Sequence, residues 1–283
     1  MSDRHITSRR AVLALGAALP FAALPGAARA FPAELVDPHW LVHSERATER
    51  VDHAPLAAFL ARYRTIGPEG IALVRYGAVT PDDRAALRDY LAGLAAAPVS
   101  TLSRPEQFAF WVNLYNGLTI ELILAHYPVA SIRNIGGGLF TIGPWRDDVT
   151  VVEGRTLSLD AIEHGILRPV WRDPRIHYAV NCASLGCPDL ADVPWSATPE
   201  AMLDRAAAAY VNHPRGVAFD SRGGLVVSSI YRWFREDFGD SAAGVLDHLR
   251  RHAAPALAAR LDAVERIADH AYDWRLNDGT GLP

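Results

Sequence analysis

The densest group of reactive side chains in this 283-residue sequence runs from Arg175 to Pro188: Arg175-Ile176-His177-Tyr178-Ala179-Val180-Asn181-Cys182-Ala183-Ser184-Leu185-Gly186-Cys187-Pro188. Alternation from Arg175 to Asn181 predicts a strand, which would put His177, Ala179 and Asn181 on one face. The following Ala-Ser-Leu-Gly-Cys-Pro is turn chemistry, so Cys182 is expected where a rigid strand opens into a loop. Cys182 and Cys187 are the only cysteines, and three chemistries are open to them. They could close a disulfide, as an oxidising compartment favours. Cys182 could be a thiolate nucleophile activated by His177 or His164, with Asn181 or Glu163 orienting the imidazole. The pair could also ligate a metal together with a histidine, although the spacing is wider than that of a zinc knuckle.

Two further groups are candidates. Asn113 and Asn116 are three apart and therefore neighbours on one helical face, with Tyr115 beside them. In so apolar a segment the two amides require partners, either loop backbone or a ligand in the cleft that His177 faces. Asn113, Tyr115, Asn116 and Ser184 are the candidate substrate-binding residues. Glu163-His164, with Arg168 one turn on, reads either as a surface ion pair or as part of the site, since its helix leads into the His177 segment. Tyr272-Asp273-Trp274 supplies two aromatics that would close the core. The chain has no lysine, which excludes Schiff-base chemistry and a phosphate-loop lysine. It has no Gly-x-Ser-x-Gly elbow, and Gly136–Gly138 lacks the flanking pattern of a dinucleotide fingerprint. No cofactor and no resident metal is expected.

These residues need elements to hold them. Residues 55–64 and 81–96 read as amphipathic helices. Ser103-Arg104-Pro105-Glu106 reads as a capping box opening a long apolar helix that stops before Pro128. Strand character follows around 148–152, with a turn at Gly154-Arg155 and a helix over 159–168 capped by Ser158. A helix over 197–212, a hairpin over 216–228 and helices at 231–238, 242–252 and 254–262 complete the order. The expected fold is α+β: one helix-rich domain over residues 31–283, its central buried helix packed against a small, mostly antiparallel sheet.

Residues 1–30 have the layout of a secretory signal. Arg4, Arg9 and Arg10 precede an uncharged Ala/Leu-rich run, and Ala28-Arg29-Ala30 predicts cleavage before Phe31. Ser8-Arg9-Arg10-Ala11-Val12-Leu13 resembles the twin-arginine consensus, so export by the twin-arginine translocase to the periplasm is expected. The leader holds four arginines and one aspartate, so its removal takes the net charge from −4 to −7. That acidity argues against nucleic acid as a partner and against anionic lipid. No later apolar run is expected to span a bilayer, and the expected partner is a small-molecule or peptide ligand.

Phe110-Trp111-Val112-Asn113-Leu114-Tyr115-Asn116, then Ile162-Glu163-His164 with Ile166-Leu167-Arg168, then His177 through Pro188 resemble the domain of unknown function family 547. The resemblance extends over about 81–277 and includes Tyr272-Asp273-Trp274. It marks Asn113, Tyr115, Asn116, Glu163, His164, His177, Asn181, Cys182, Ser184 and Cys187 as matches to the family's motifs without assigning them roles. Two functions remain open on these residues. One is a thiol-dependent hydrolase or acyltransferase using Cys182 and His177, and the other a non-catalytic binding or scaffold domain with a structural Cys182–Cys187 disulfide.

Overall fold

Apolar side chains occupy nearly every face of the stretch from Phe108 to Ile123, and such a helix is stable only when other elements surround it. A computed structural model of the chain describes residues 32–136 and 143–282. The leader, the cleavage site before Phe31, and Gly137 and Gly138 of the glycine run lie outside the described residues. Helices α1 (Ala54–Tyr63), α2 (Pro81–Ala96) and α3 (Arg104–His126) come first. Between α1 and α2, where the sequence suggested only a connection, β1 (Arg64–Ile66) pairs antiparallel with β2 (Ala72–Val74). Phe110, Val112, Leu114 and Ile123 of α3 are wholly enclosed. By length and composition α3 could cross a membrane, contrary to the expectation from sequence, but 78% of that apolar window is buried inside the fold.

The capping box expected at α3 does not form. Ser103 makes no side-chain cap bond. Glu106 instead accepts from the Val51 amide at 2.7 Å and from Arg50 at 3.2 Å. The carboxylate thus satisfies a donor of the preceding segment that would otherwise lack a partner.

The turn expected at Gly154-Arg155 falls one residue earlier and joins β3 (Thr150–Val152) to a strand that was not expected, β4 (Arg155–Leu157). Its two central residues, Glu153 and Gly154, have φ of 46° and 74°, the mirror-image turn whose twist suits paired strands. The next helix departs from expectation. Instead of one α-helix over 159–168, α4 (Leu159–Ile162) widens into a π-helical turn, Glu163–Leu167, before α5 (Arg168–Trp171). Pro169 is the cause: it has no amide for the Gly165 carbonyl four residues back, and its ring crowds that carbonyl. The Val36 amide takes the freed oxygen at 3.1 Å.

The strand expected over 175–181 is likewise corrected: Pro174–Tyr178 is a 3-10 helix. Asp173 caps it by accepting from the Arg175 amide, and Pro174 at its first position already has helical φ. The Asp-Pro pair outweighs the alternation that follows it. The rest of the chain gives α6 (Glu200–Val211), β5 (Val217–Phe219), β6 (Leu225–Ser228), α7 (Ile230–Trp233), α8 (Ala242–His252), α9 (Pro255–Asp262) and β7 (Ile267–Ala271). In this last sheet β6 lies between β5, antiparallel to it, and β7, parallel to it.

The architecture is therefore α+β, helix-rich, with small sheets and a buried central helix. Its apolar residues form two clusters, one around α3 and one between the last sheet and α6–α9. They meet at the 3-10 turn, where Ile176 belongs to the first and Tyr178 to the second. The candidate residues sit along that seam.

Candidate functional site

Asn113 and Asn116 build the floor. Asn113 donates to the Trp195 carbonyl and accepts from the Trp195 amide, both at 2.8 Å. Asn116 donates to the Ala179 carbonyl and accepts from the Asn181 amide, both at 2.9 Å. Each amide therefore pairs with loop backbone as a neighbouring strand would, Asn116 fixing the chain before the cysteines onto α3 and Asn113 the chain after them. Asn181 continues the scaffold by donating to the Pro188 carbonyl at 2.7 Å and accepting from the Ala183 amide at 2.8 Å. The two ends of the cysteine loop are thereby tied together.

Within that loop the sulfurs of Cys182 and Cys187 lie 2.6 Å apart, closer than two separate thiols approach, so the pair sits within bonding reach. Cys182 is partly exposed, whereas Cys187 is 4% exposed. Three donors converge on the Cys187 sulfur: the Cys182 amide at 3.0 Å, the Tyr272 hydroxyl at 3.1 Å and the Cys182 thiol. Burial pushes the Cys187 thiol up, but these bonds and the Ser184 hydroxyl outweigh it and bring it down to about 7. Cys182 is pushed the other way, first by its bond to Cys187 and then by burial. The pair thus shares one negative charge. It rests on Cys187 because the Cys182 amide is a donor fixed in place that points at that sulfur.

Ser184 and Tyr272 complete the sulfur site. Ser184 donates to the Tyr272 hydroxyl at 2.9 Å, and the same hydroxyl lies 3.2 Å from the Cys182 sulfur. The C-terminal segment delivers Tyr272. Leu185 and Gly186 amides donate to the Arg275 and Asp273 carbonyls, both at 2.8 Å, and Asn277 donates to the Ala183 carbonyl. Only glycine fits at position 186, where a Cβ would lie 2.8 Å from the Asp273 nitrogen. Replacing Tyr272 by phenylalanine is expected to raise the thiol titration midpoint by about one pH unit, the worth of one hydrogen bond to a charged acceptor. Thiolate absorbance against pH measures it.

His177 belongs to a second, ionic group. Its Nε2 donates to Asp237 Oδ2 at 2.6 Å, and its Nδ1 faces Glu163 Oε1 at 3.7 Å. The ring stacks on Phe234 at 4.3 Å. Arg168 donates to the same Asp237 oxygen at 2.6 Å and to Glu236 at 2.8 Å. His164 receives a bond from Arg168 at 3.2 Å and lies 3.8 Å from Glu163. Burial opposes charge on both carboxylates, yet the neighbouring cations hold Glu163 and Asp237 ionised down to about 2. Burial also disfavours an imidazolium at His177, but the bond to Asp237 and the Glu163 carboxylate overcome it and raise its pKa. For His164 burial prevails and lowers it.

The structure thus divides the candidates in two. Among the described residues no hydrogen bond links His177 to a sulfur, because both ring nitrogens face carboxylates. Tyr115 stands between the groups. Its hydroxyl donates to Glu163 Oε2 at 2.8 Å, and burial, then the charge of Glu163 and of both sulfurs, pushes its pKa well up. Asp237, Phe234 and the sulfur-binding role of Tyr272 were not foreseen. The Tyr-Asp-Trp motif could have flagged Tyr272, whereas no local signal marks Asp237. No group of three or more His, Cys, Asp or Glu among the described residues converges as a metal site.

Residues 99–211 match the model of a family described as a protein of unknown function, DUF547. That span is shorter than the resemblance suggested. It carries Asn113, the π-turn and both cysteines, but not Asp237 or Tyr272. No curated protein and no solved structure matches the chain.

Proposed function

We propose that this chain is an exported periplasmic protein whose Cys182–Cys187 pair carries out thiol–disulfide exchange. The leader supports the compartment. The observation that carries the chemistry is the sulfur pair itself: a partly exposed thiol 2.6 Å from a buried sulfur on which three donors converge. Such a pair supplies an attacking and a resolving sulfur without rearrangement.

Cys182 passes its proton to the Cys187 thiolate and attacks one sulfur of a substrate disulfide. The S–S bond breaks, and the departing substrate sulfur takes the proton from Cys187. Cys187, again a thiolate, attacks the Cys182 sulfur of the mixed disulfide and releases the second substrate thiolate, which is protonated by solvent. The substrate disulfide is reduced by two electrons and the protein dithiol oxidised; the reverse sequence oxidises substrate thiols. Here Cys187 replaces His177 as the group that activates Cys182. His177 and its carboxylates then act as the ionic frame behind the site.

The test equilibrates the protein with defined ratios of reduced and oxidised small thiol, followed by alkylation and mass analysis. Reversible oxidation of the pair is expected, with Cys187→Ser accumulating a mixed disulfide at Cys182. A bond that forms once and resists reduction would make the pair a structural staple instead. A thioester on Cys182 under an acyl donor, without mixed disulfide, would redirect the assignment to acyl transfer.

A further inference from the structure

We infer that the cavity adjoining Tyr272 is the substrate subsite of this dithiol, and that it receives a large apolar side chain close in sequence to the cysteine of a polypeptide substrate. The inference rests on the exchange reading for what brings the substrate there. The cavity is about 450 Å³, bounded by Val226 and Val227 of β6, Ala271 at the end of β7, Tyr272, Trp274 and the Gly186 backbone. Neither cysteine lines it, but two of its lining residues tie it to the sulfur site. Tyr272 lines it and also bonds both sulfurs, and Gly186 lies between the two cysteines in the loop.

The lining selects the occupant. Its volume falls in the lower part of the range for ligand cavities, about 300–1,000 Å³, which suits one large side chain with some flanking backbone. Arg215, Asp273 and Arg275 also contribute to the wall, but Arg215 is held by Asp189 at 2.6 Å and Arg275 by Asp273 at 2.5 Å. Both guanidinium charges are therefore offset, which leaves the apolar part of the lining to select the guest. On one side an apolar guest meets the half-buried Val226 and the exposed Ala271, Val227 being part of the core. On the other it meets the tilted rings of Tyr272 and Trp274, whose centroids are 4.6 Å apart, a geometry that accepts a further ring. Extended chain advances about 3.3–3.6 Å per residue. Two such steps separate guest and cysteine position in the peptides that test this.

Two peptides of equal length separate this inference from the exchange chemistry, each with serine in place of cysteine so that no covalent step occurs. One carries tryptophan two residues from the serine and the other glutamate. Binding to the full chain is read by calorimetry and by quenching of tryptophan fluorescence. The tryptophan peptide is expected to bind at least ten-fold more tightly. Ala271→Trp, an exposed position at the cavity wall, is expected to abolish that preference by filling the space, and Val226→Lys to do so by placing a charge in it. Equal affinity for the two peptides, no binding of either, or a preference that survives both substitutions would overturn the inference. Selective binding without exchange would leave the subsite standing and refute the exchange reading alone.

Discussion

Asp237→Ala is expected to lower the stability of the fold by about 3–5 kcal/mol, the usual cost of removing one partner from a buried ion pair. Asp237 accepts from both His177 and Arg168, and those two side chains are 2% and 1% exposed. Without the carboxylate, two buried donors lose an acceptor, and the guanidinium and imidazole keep only Glu236 and Glu163 to offset their charges. Chemical denaturation with urea measures the loss. The same experiment run against pH identifies the mechanism. Glu163 and Asp237 are held ionised down to about 2 in the fold, so their contribution is complete above the ordinary carboxylate range and disappears as pH falls toward 2. His177 is raised, so its contribution is complete below the ordinary histidine value of about 6.5 and disappears as pH rises through the raised value. The parent protein should therefore be most stable between about pH 4.5 and 6.5 as far as Glu163, Asp237 and His177 are concerned. The variant should lose the Asp237 part of the acid limb. An unchanged urea midpoint across this range would show that the cluster does not hold the seam.

The second large effect is on reactivity. In Cys187→Ser the alkylation rate of Cys182 at pH 7 is expected to fall about ten-fold or more. In the parent the Cys187 thiolate, titrating at about 7, serves as the base that takes the Cys182 proton at neutral pH. An isolated thiol with an ordinary value of about 8.5 is only a few per cent thiolate there. Burial of Cys182 would push that fraction lower still. Stopped-flow alkylation between pH 5 and 10 resolves the two cases: a midpoint that follows the Cys187 titration in the parent, and a higher one in the variant. A Cys182 that reacts equally fast in both proteins would remove Cys187 from any activating role. Circular dichroism of the variant separates this from a loss of fold.

The sequence alone determined the helical framework and the identity of the loop. The apolar run from Phe108 to Ile123 required a central helix whatever surrounded it, and its end at His126 followed from Pro128. Asn113 and Asn116 had to find partners because an amide inside such a helix has no water to turn to. The turn residues between Cys182 and Cys187 restricted the pair to a short loop. All of these are consequences of spacing over a few residues, where chain geometry alone decides which side chains are neighbours.

Tertiary structure decided what the loop became. Asp237 is 60 residues from His177, and Tyr272 is 85 from Cys187; no periodicity connects positions so far apart. Their approach depends on how α7 and the last strand pack across the seam, which buried area governs rather than local preference. Two local signals also gave way to stronger ones. Alternation after Arg175 yielded to the Asp173-Pro174 helix start, and the helix at Glu163 opened into a π-turn because Pro169 left a carbonyl for Val36 to claim. Those two departures turn His177 toward carboxylates and leave the sulfurs to Tyr272. Histidine and cysteine are close in sequence, but their hydrogen-bond partners come from distant parts of the chain.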